Sequence, residues 1–146
     1  MVWPALVLEQ RLLSVIPIAI GLALEWLALW LGGFGLSWKR AVIVDIGMNA
    51  VSTAVGIVLI PALGLAWELF PGRIIYPILH VGTFNPVTWG ATLVLTVVAT
   101  TLVEFATVRW AFRIRVNIRR FAIILAANGA SVAIAFWSLW RHPPRF

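Results

Sequence analysis

Four long apolar stretches dominate the sequence, and none of them contains a lysine or an arginine. They cover about residues 12–36, 41–66, 87–108 and 121–140. A transmembrane helix needs about 20 apolar residues, so each stretch is long enough to cross a bilayer. The apolar residues run continuously instead of alternating with polar ones, which indicates helices and disfavours the strands of a membrane barrel. We therefore predict an all-α integral membrane protein with four transmembrane helices.

The composition excludes a water-soluble fold of this length. Of the 146 residues, 62% are hydrophobic and 11% are charged, whereas soluble domains have about 45–50% and about 25%. So few charged side chains are unable to cover the surface that a chain of this size exposes. The net charge is +6. Because the bases lie between the apolar stretches, we assign them to lipid head groups and expect no nucleic-acid partner.

The bases divide unevenly between two faces of the predicted helix bundle. The short turns after the first and third stretches hold seven of them: Lys39, Arg40, Arg109, Arg113, Arg115, Arg119 and Arg120. The opposite face holds four: Arg11, Arg73, Arg141 and Arg145. The positive-inside rule then places both turns in the cytoplasm, in contact with anionic lipids, and both chain ends outside. We expect a multi-pass protein of a bacterial inner membrane or an equivalent bilayer, with its first apolar stretch retained because no signal-peptide cleavage site is evident.

The sequence aligns with itself at an offset of 79 residues. The polar matches are Glu25 with Glu104, Arg40 with Arg119, Asn49 with Asn128, and Ser52 with Ser131. Polar residues are rare in this chain, so their recurrence at one offset favours an internal duplication. We predict a single membrane domain over 1–146, with repeat 1 at about 12–66, an outer interfacial link at about 67–86 and repeat 2 at about 87–140. Each repeat is a two-helix hairpin, and the two hairpins form a parallel repeat about an axis along the membrane normal.

Polar residues within the apolar stretches recur at matching depths. Glu25 and Asn49 are equally distant from the middle of the first turn, and Glu104 and Asn128 are equally distant from the middle of the second. In an antiparallel hairpin the members of each pair lie at one depth and can form a hydrogen bond. We define a polar centre from these residues and their polar neighbours along the second helix of each hairpin: Glu25, Asp45, Asn49, Ser52, Glu104, Asn128 and Ser131.

The two glutamates have a structural and a functional interpretation. An ionisable residue inside a bilayer costs roughly 2.5 to 3.5 kcal/mol unless it faces protein or water, so it marks a candidate functional site. We interpret Glu25 and Glu104 first as neutral acids that hold helices together. A proton- or cation-handling centre, or a site for a polar ligand or a partner residue, is the alternative. Asp45 has no counterpart in repeat 2 and is interpreted as an interfacial partner of Arg40.

The loops carry two further expectations. Gly32, Gly33 and Gly35 are expected to end the first helix before Trp38. The link at residues 71–85 contains two prolines and a glycine near its start, and it is expected to be an apolar loop in the outer interface. A re-entrant segment or a contact surface for another subunit also fits its composition.

No catalytic motif accompanies these features. The sequence has no cysteine, no Gly-x-Ser-x-Gly and no His-Glu-x-x-His, so we expect no catalytic residues, no metal site and no cofactor. The favoured function is a non-catalytic, helix-packing subunit of a membrane complex or homo-oligomer, with other membrane subunits or copies of itself as partners. The alternative is a small proton, cation or solute transporter that uses the polar centre.

Overall fold

A computed structural model of the chain describes residues 15–80 and 86–141, and all regular structure in these ranges is helical. The elements are α1 (Val15–Leu31), α2 (Trp38–Trp67), a π-helical turn (Glu68–Gly72), α3 (Arg73–Leu79), α4 (Pro86–Trp110) and α5 (Ile118–Arg141). The start of repeat 1, residues 81–85 of the link and both chain ends lie outside the described residues. Arg11 and Arg145 of the outer face also fall there.

Three helical segments of the described chain are long and apolar enough to cross a membrane. They are Trp38–Leu79, Pro86–Trp110 and Ile118–Ser138. A fourth apolar helix, Ile18–Leu31, is shorter within the described residues. The all-helical membrane class expected from the sequence is thus supported by three helices of sufficient length.

Two short turns connect the helices, and each has a specific backbone conformation. Gly33 and Gly35 adopt φ values of 78° and 71°, a left-handed region that glycine enters without steric cost. They end α1 before Trp38, as predicted. Ser37 then caps α2 because its Oγ accepts a hydrogen bond from the Arg40 N–H at 3.4 Å. In the second turn, Asn117 Oδ1 accepts from the Arg120 N–H at 3.0 Å and caps α5 in the same way.

The start of the link is helical, which differs from the expected loop. Helix α2 continues through the π-helical turn Glu68–Gly72 into α3, which ends where His80 adopts a φ of 54°. Proline breaks an α-helix because its ring clashes with the carbonyl four residues earlier. A π-helical turn is wider, and it accommodates Pro71 without ending the helix. The expectation of a loop from residue 71 was therefore wrong as far as Leu79.

The four longest helices form a ring in which each packs against two others. Helix α1 contacts α2 and α5, and α4 also contacts α2 and α5. At the end of the ring where the two turns lie, an apolar core buries side chains from all four helices and both turns: Leu29, Phe34, Leu36, Ala41, Val44, Met48, Val108, Ile114 and Ile124. This core closes that end of the bundle, and the polar centre lies beside it.

Candidate functional site

Glu25 on α1 accepts one hydrogen bond on each carboxyl oxygen. Its side chain is buried because it shares the inner face of α1 with Gly21 and Leu29, four residues before and after it. Oε2 accepts from Asn49 Nδ2 at 2.6 Å, and Oε1 accepts from Ser131 Oγ at 3.0 Å. One donor therefore comes from the next helix along the chain, and the other comes from α5.

Glu104 on α4 has the same arrangement with the helices exchanged. Its Oε2 accepts from Asn128 Nδ2 at 2.5 Å, and its Oε1 accepts from Ser52 Oγ at 3.0 Å. The carboxyl–carboxamide bonds predicted within each hairpin are thus present. The serine bonds were not predicted, because matching depths within a hairpin do not reveal which helices of the two hairpins become neighbours.

Each carboxamide is also held by its own helix. Asn49 Nδ2 donates to the Asp45 carbonyl oxygen at 3.0 Å, and Asn128 Nδ2 donates to the Ile124 carbonyl oxygen at 3.2 Å. These bonds to the residue four positions earlier orient both amide groups toward the glutamates. The donors around the two carboxyl groups are therefore positioned by backbone as well as by side-chain packing.

Asp45 belongs to the interior and not to the interface. It is only 3% exposed, whereas Arg40 is exposed. Asp45 Oδ1 accepts from Asn49 Nδ2 at 3.3 Å. The interpretation of Asp45 as an interfacial partner of Arg40 was wrong, because a residue four positions before Asn49 lies on the same inward face of α2.

A cavity of about 530 Å³ lies against the polar centre. Six of the seven residues of the polar centre line it, the exception being Asp45: Glu25, Asn49, Ser52, Glu104, Asn128 and Ser131. The remaining lining consists of apolar residues, glycines and the hydroxyl residues Thr53 and Thr100 of the described helices, with no basic and no aromatic side chain. The two carboxyl groups are thus the charged or chargeable groups that this cavity presents.

In the described part of the chain, the exposed lining residues of the cavity lie on α1 and α2. At its rim lie Ile18 on α1 and Ile46 and Ile57 on α2, with exposed fractions of 41%, 57% and 54%. Gly21 lies deeper, where an added Cβ would approach Ser131 Oγ to 3.2 Å. Because glycine has no side chain at this position of α1, the Ser131 hydroxyl group has room to reach Glu25.

Side chains fill the space between the opposite pair of helices, α4 and α5. Between α4 and α5, Val132 and Ala135 are buried and pack against Leu93 and Val97. At the offset of 79 residues, Phe136 corresponds to Ile57 at the cavity rim. Phe136 packs against Trp89 with ring centroids 5.8 Å apart. Within the described ranges, the bundle therefore has an exposed cavity lining at α1 and α2 and a packed side at α4 and α5.

Four threonines form a column on α4 that was not predicted from the sequence. Thr88, Thr92, Thr96 and Thr100 follow one another at four-residue spacing and lead to Glu104. The first three are buried, and Thr96 Oγ1 is a buried hydroxyl with no hydrogen-bond partner in the described chain. The repeated spacing was the available signal, because residues four apart share one helix face.

A second polar cluster lies at the far end of this column. Tyr76 Oη accepts from Trp67 Nε1 at 3.1 Å and donates to Glu68 Oε1 at 2.9 Å. It also forms a 2.5 Å hydrogen bond with Thr88 Oγ1. These bonds attach the helical start of the link to α4.

The seven bases of the turns do not all share one role. Six are exposed: Lys39, Arg40, Arg109, Arg113, Arg115 and Arg119. Arg120 instead joins the two turns. Its Nε and Nη2 donate to the Gly33 carbonyl oxygen at 3.2 and 2.6 Å, Nη1 donates to the Arg115 carbonyl oxygen, and the guanidinium lies 5.4 Å from the Phe34 ring centroid.

Neither a metal cluster nor a known relative assigns a function. In the described ranges, no group of three or more histidine, cysteine, aspartate or glutamate side chains is arranged to hold a metal ion. No protein family model matches the chain, and no curated protein or solved structure is similar to it. The function is therefore inferred from the polar centre and its cavity.

Proposed function

We propose that the chain forms four transmembrane helices arranged as two tandem hairpins, repeat 1 and repeat 2, around a pseudo-twofold axis along the membrane normal. The exchange of hydrogen bonds supports this arrangement. Glu25 of repeat 1 accepts from Ser131 of repeat 2, and Glu104 of repeat 2 accepts from Ser52 of repeat 1. An offset of 79 residues converts each of these bonds into the other, as a twofold relation between the repeats requires.

The orientation follows from the bases. The two turns carry six exposed lysine and arginine side chains, and cytoplasmic loops are enriched in such residues. We place both turns on the cytoplasmic side and both chain ends outside, in a bacterial inner membrane or an equivalent bilayer. The basic turns then contact anionic head groups.

For the function itself, we propose a small carrier that binds a proton or a cation at the polar centre. The observation that carries this proposal is the cavity of about 530 Å³ that reaches both Glu25 and Glu104. Carboxyl groups that serve only to pack helices have no need of adjoining space. A buried carboxyl group without a basic neighbour is stable when it holds a proton or faces a cation, because an isolated negative charge in an apolar medium is costly.

A second function, that of a non-catalytic helix-packing subunit or homo-oligomer, is supported by a different observation. Every oxygen of the two glutamates already accepts a hydrogen bond within the chain. This is the arrangement expected of interhelical clasps. The partners would then be other membrane subunits or copies of the chain.

Flux measurements separate the two functions. The native protein and its Glu25→Gln and Glu104→Gln variants are reconstituted in vesicles, and proton and cation movement is followed with internal dyes. Glu68→Gln is the matched control, because this glutamate lies outside the polar centre and bonds to Tyr76. The carrier predicts flux in the native protein and the control, and its loss in both polar-centre variants with assembly unchanged. Absence of flux in the native protein, together with loss of assembly in the two variants, would establish the subunit function instead.

A further inference from the structure

The cavity is much larger than a proton or a metal ion requires. A water molecule takes about 30 Å³ of liquid volume, whereas the cavity measures about 530 Å³. That volume falls within the roughly 300–1,000 Å³ of small-molecule sites. A metal ion also needs several oxygen ligands around it, but three isoleucines, Ile18, Ile46 and Ile57, form the rim. The size and the rim therefore fit the apolar body of an organic molecule.

The polar end of the cavity specifies the charge of that molecule. Each glutamate oxygen accepts one hydrogen bond within the chain, and an ionised carboxyl group has about four acceptor positions. Acceptor capacity thus remains on both Glu25 and Glu104. Since no basic side chain is present among the described residues of the lining, the partner that the carboxyl groups lack there is a positive group that carries N–H donors.

The absence of aromatic side chains narrows the choice further. Quaternary ammonium groups are bound in proteins by aromatic cages, and no aromatic ring occurs in the part of the cavity lining that the structure describes. A primary or secondary ammonium group, by contrast, donates directly to carboxyl oxygens through charge-assisted hydrogen bonds. The lining is suited to an ammonium group with N–H donors and an apolar body.

From these observations we infer that the cavity binds amphipathic organic amines, which enter sideways from the lipid between α1 and α2. This inference rests on the proposed carrier function and names the class of its cation. The apolar body lies along the isoleucines of the rim, and the ammonium group donates to Glu25 and Glu104. Among the described residues, the space between α4 and α5 is packed, so the entrance between α1 and α2 is the one that the exposed lining favours.

Three probes with the same apolar body test whether the cavity requires a positive charge and N–H donors on its ligand. They are 4-phenylbutylammonium, the neutral 4-phenylbutanol and the quaternary 4-phenylbutyltrimethylammonium, and their binding to the purified chain in lipid nanodiscs is measured by calorimetry with empty nanodiscs subtracted. We expect the primary amine to bind about tenfold or more tightly than either of the others, since a charge-assisted hydrogen bond contributes at least that factor. Equal affinities for the amine and the alcohol would overturn the inference.

A pair of alanine substitutions on α2 tests the location without changing a carboxyl group. Ala54 lines the cavity, whereas Ala62 lies two turns further along α2, is also exposed and is not part of the lining. We expect Ala54→Phe to weaken amine binding about tenfold or more and Ala62→Phe to leave it unchanged. Equal effects of the two substitutions would refute this location.

Failure of this inference and failure of the proposed function give different results. Flux that depends on Glu25 and Glu104, without preferential amine binding, retains the carrier and eliminates the amine as its cation. Amine binding that Ala54→Phe abolishes, without flux in vesicles, retains the amine site and eliminates the carrier. The nanodisc measurement needs no transport, so each result stands alone.

Discussion

Replacing Ser131 with alanine removes the hydroxyl group through which α5 donates to Glu25 on α1. The bond measures 3.0 Å, and Glu25 keeps its second donor, Asn49, at 2.6 Å. The carboxyl group is therefore not left without a partner, so the cost of roughly 3–5 kcal/mol for an unpaired buried charge does not apply. Interhelical hydrogen bonds within membranes contribute about 0.6 kcal/mol on average and at most about 1.7 kcal/mol. We expect Ser131→Ala to lower the free energy of unfolding by an amount within that range.

Ser52→Ala is expected to cost the same, because Ser52 donates to Glu104 at the same distance of 3.0 Å. The two serines bond to different carboxyl groups on different helices, so the double variant is expected to lose the sum, roughly 1–3 kcal/mol. Thr53→Ala is the control, since this exposed residue adjoins Ser52 on α2 and lines the cavity, but its hydroxyl group donates to neither Glu25 nor Glu104.

The measurement is unfolding of the full chain in mixed micelles by increasing amounts of a denaturing detergent, followed through the fluorescence of its nine tryptophans. The serine variants should unfold at lower detergent fractions than the control. If Ser131→Ala and Ser52→Ala match Thr53→Ala within about 0.3 kcal/mol, the exchanged hydrogen bonds do not hold the hairpins together. A loss above about 3 kcal/mol for either serine would contradict the assumption that the remaining donor suffices.

The same titration checks five further substitutions. Gly129→Ala should stabilise the protein by roughly 0.5–1 kcal/mol through helix propensity, because its added Cβ meets nothing within 4 Å. Gly21→Ala should not stabilise the protein, because its added Cβ would lie 3.2 Å from the Ser131 hydroxyl oxygen. Equal effects of Gly129→Ala and Gly21→Ala would show that the Ser131 hydroxyl group moves aside at no measurable cost. Arg120→Ala should cost roughly 1–3 kcal/mol through its lost bonds to turn carbonyls, while Arg119→Ala, on an exposed neighbour, should stay within about 0.5 kcal/mol. Tyr76→Phe should cost about 1 kcal/mol and accelerate amide hydrogen exchange in α3, and unchanged exchange would argue against its anchoring role.

Interactions within one hairpin were predictable from the sequence. The turn residues set where the helices end, and helix geometry then fixes which residues of the two helices share a depth. Glu25 and Asn49, and Glu104 and Asn128, follow from this arithmetic, and their bonds are present. The glycine turn after α1 was predicted for the same reason, since a left-handed backbone conformation is a local property.

The two wrong predictions were made from local sequence rules at positions where tertiary packing decides the outcome. Asp45 was assigned to the interface by its distance along the chain from Arg40, yet it is buried, because its face of α2 is turned inward by packing. Residue 71 was expected to begin a loop, since proline disfavours helix. The wider π-helical turn and the bonds of Tyr76 to Glu68 and Thr88 instead keep this segment helical against α4.

The sequence by itself determined the helical class and the apolar stretches long enough to cross a membrane, and it showed that a few polar residues recur at an offset of 79. Only the tertiary structure decided that Ser131 on α5 bonds to Glu25 on α1 and Ser52 on α2 to Glu104 on α4. It also decided that the exposed cavity lining in the described chain lies on α1 and α2, while side chains fill the space between α4 and α5. The physical reason is that turns and helix rise act along the chain, whereas neighbouring helices and the space between them depend on the volumes of side chains distant in sequence.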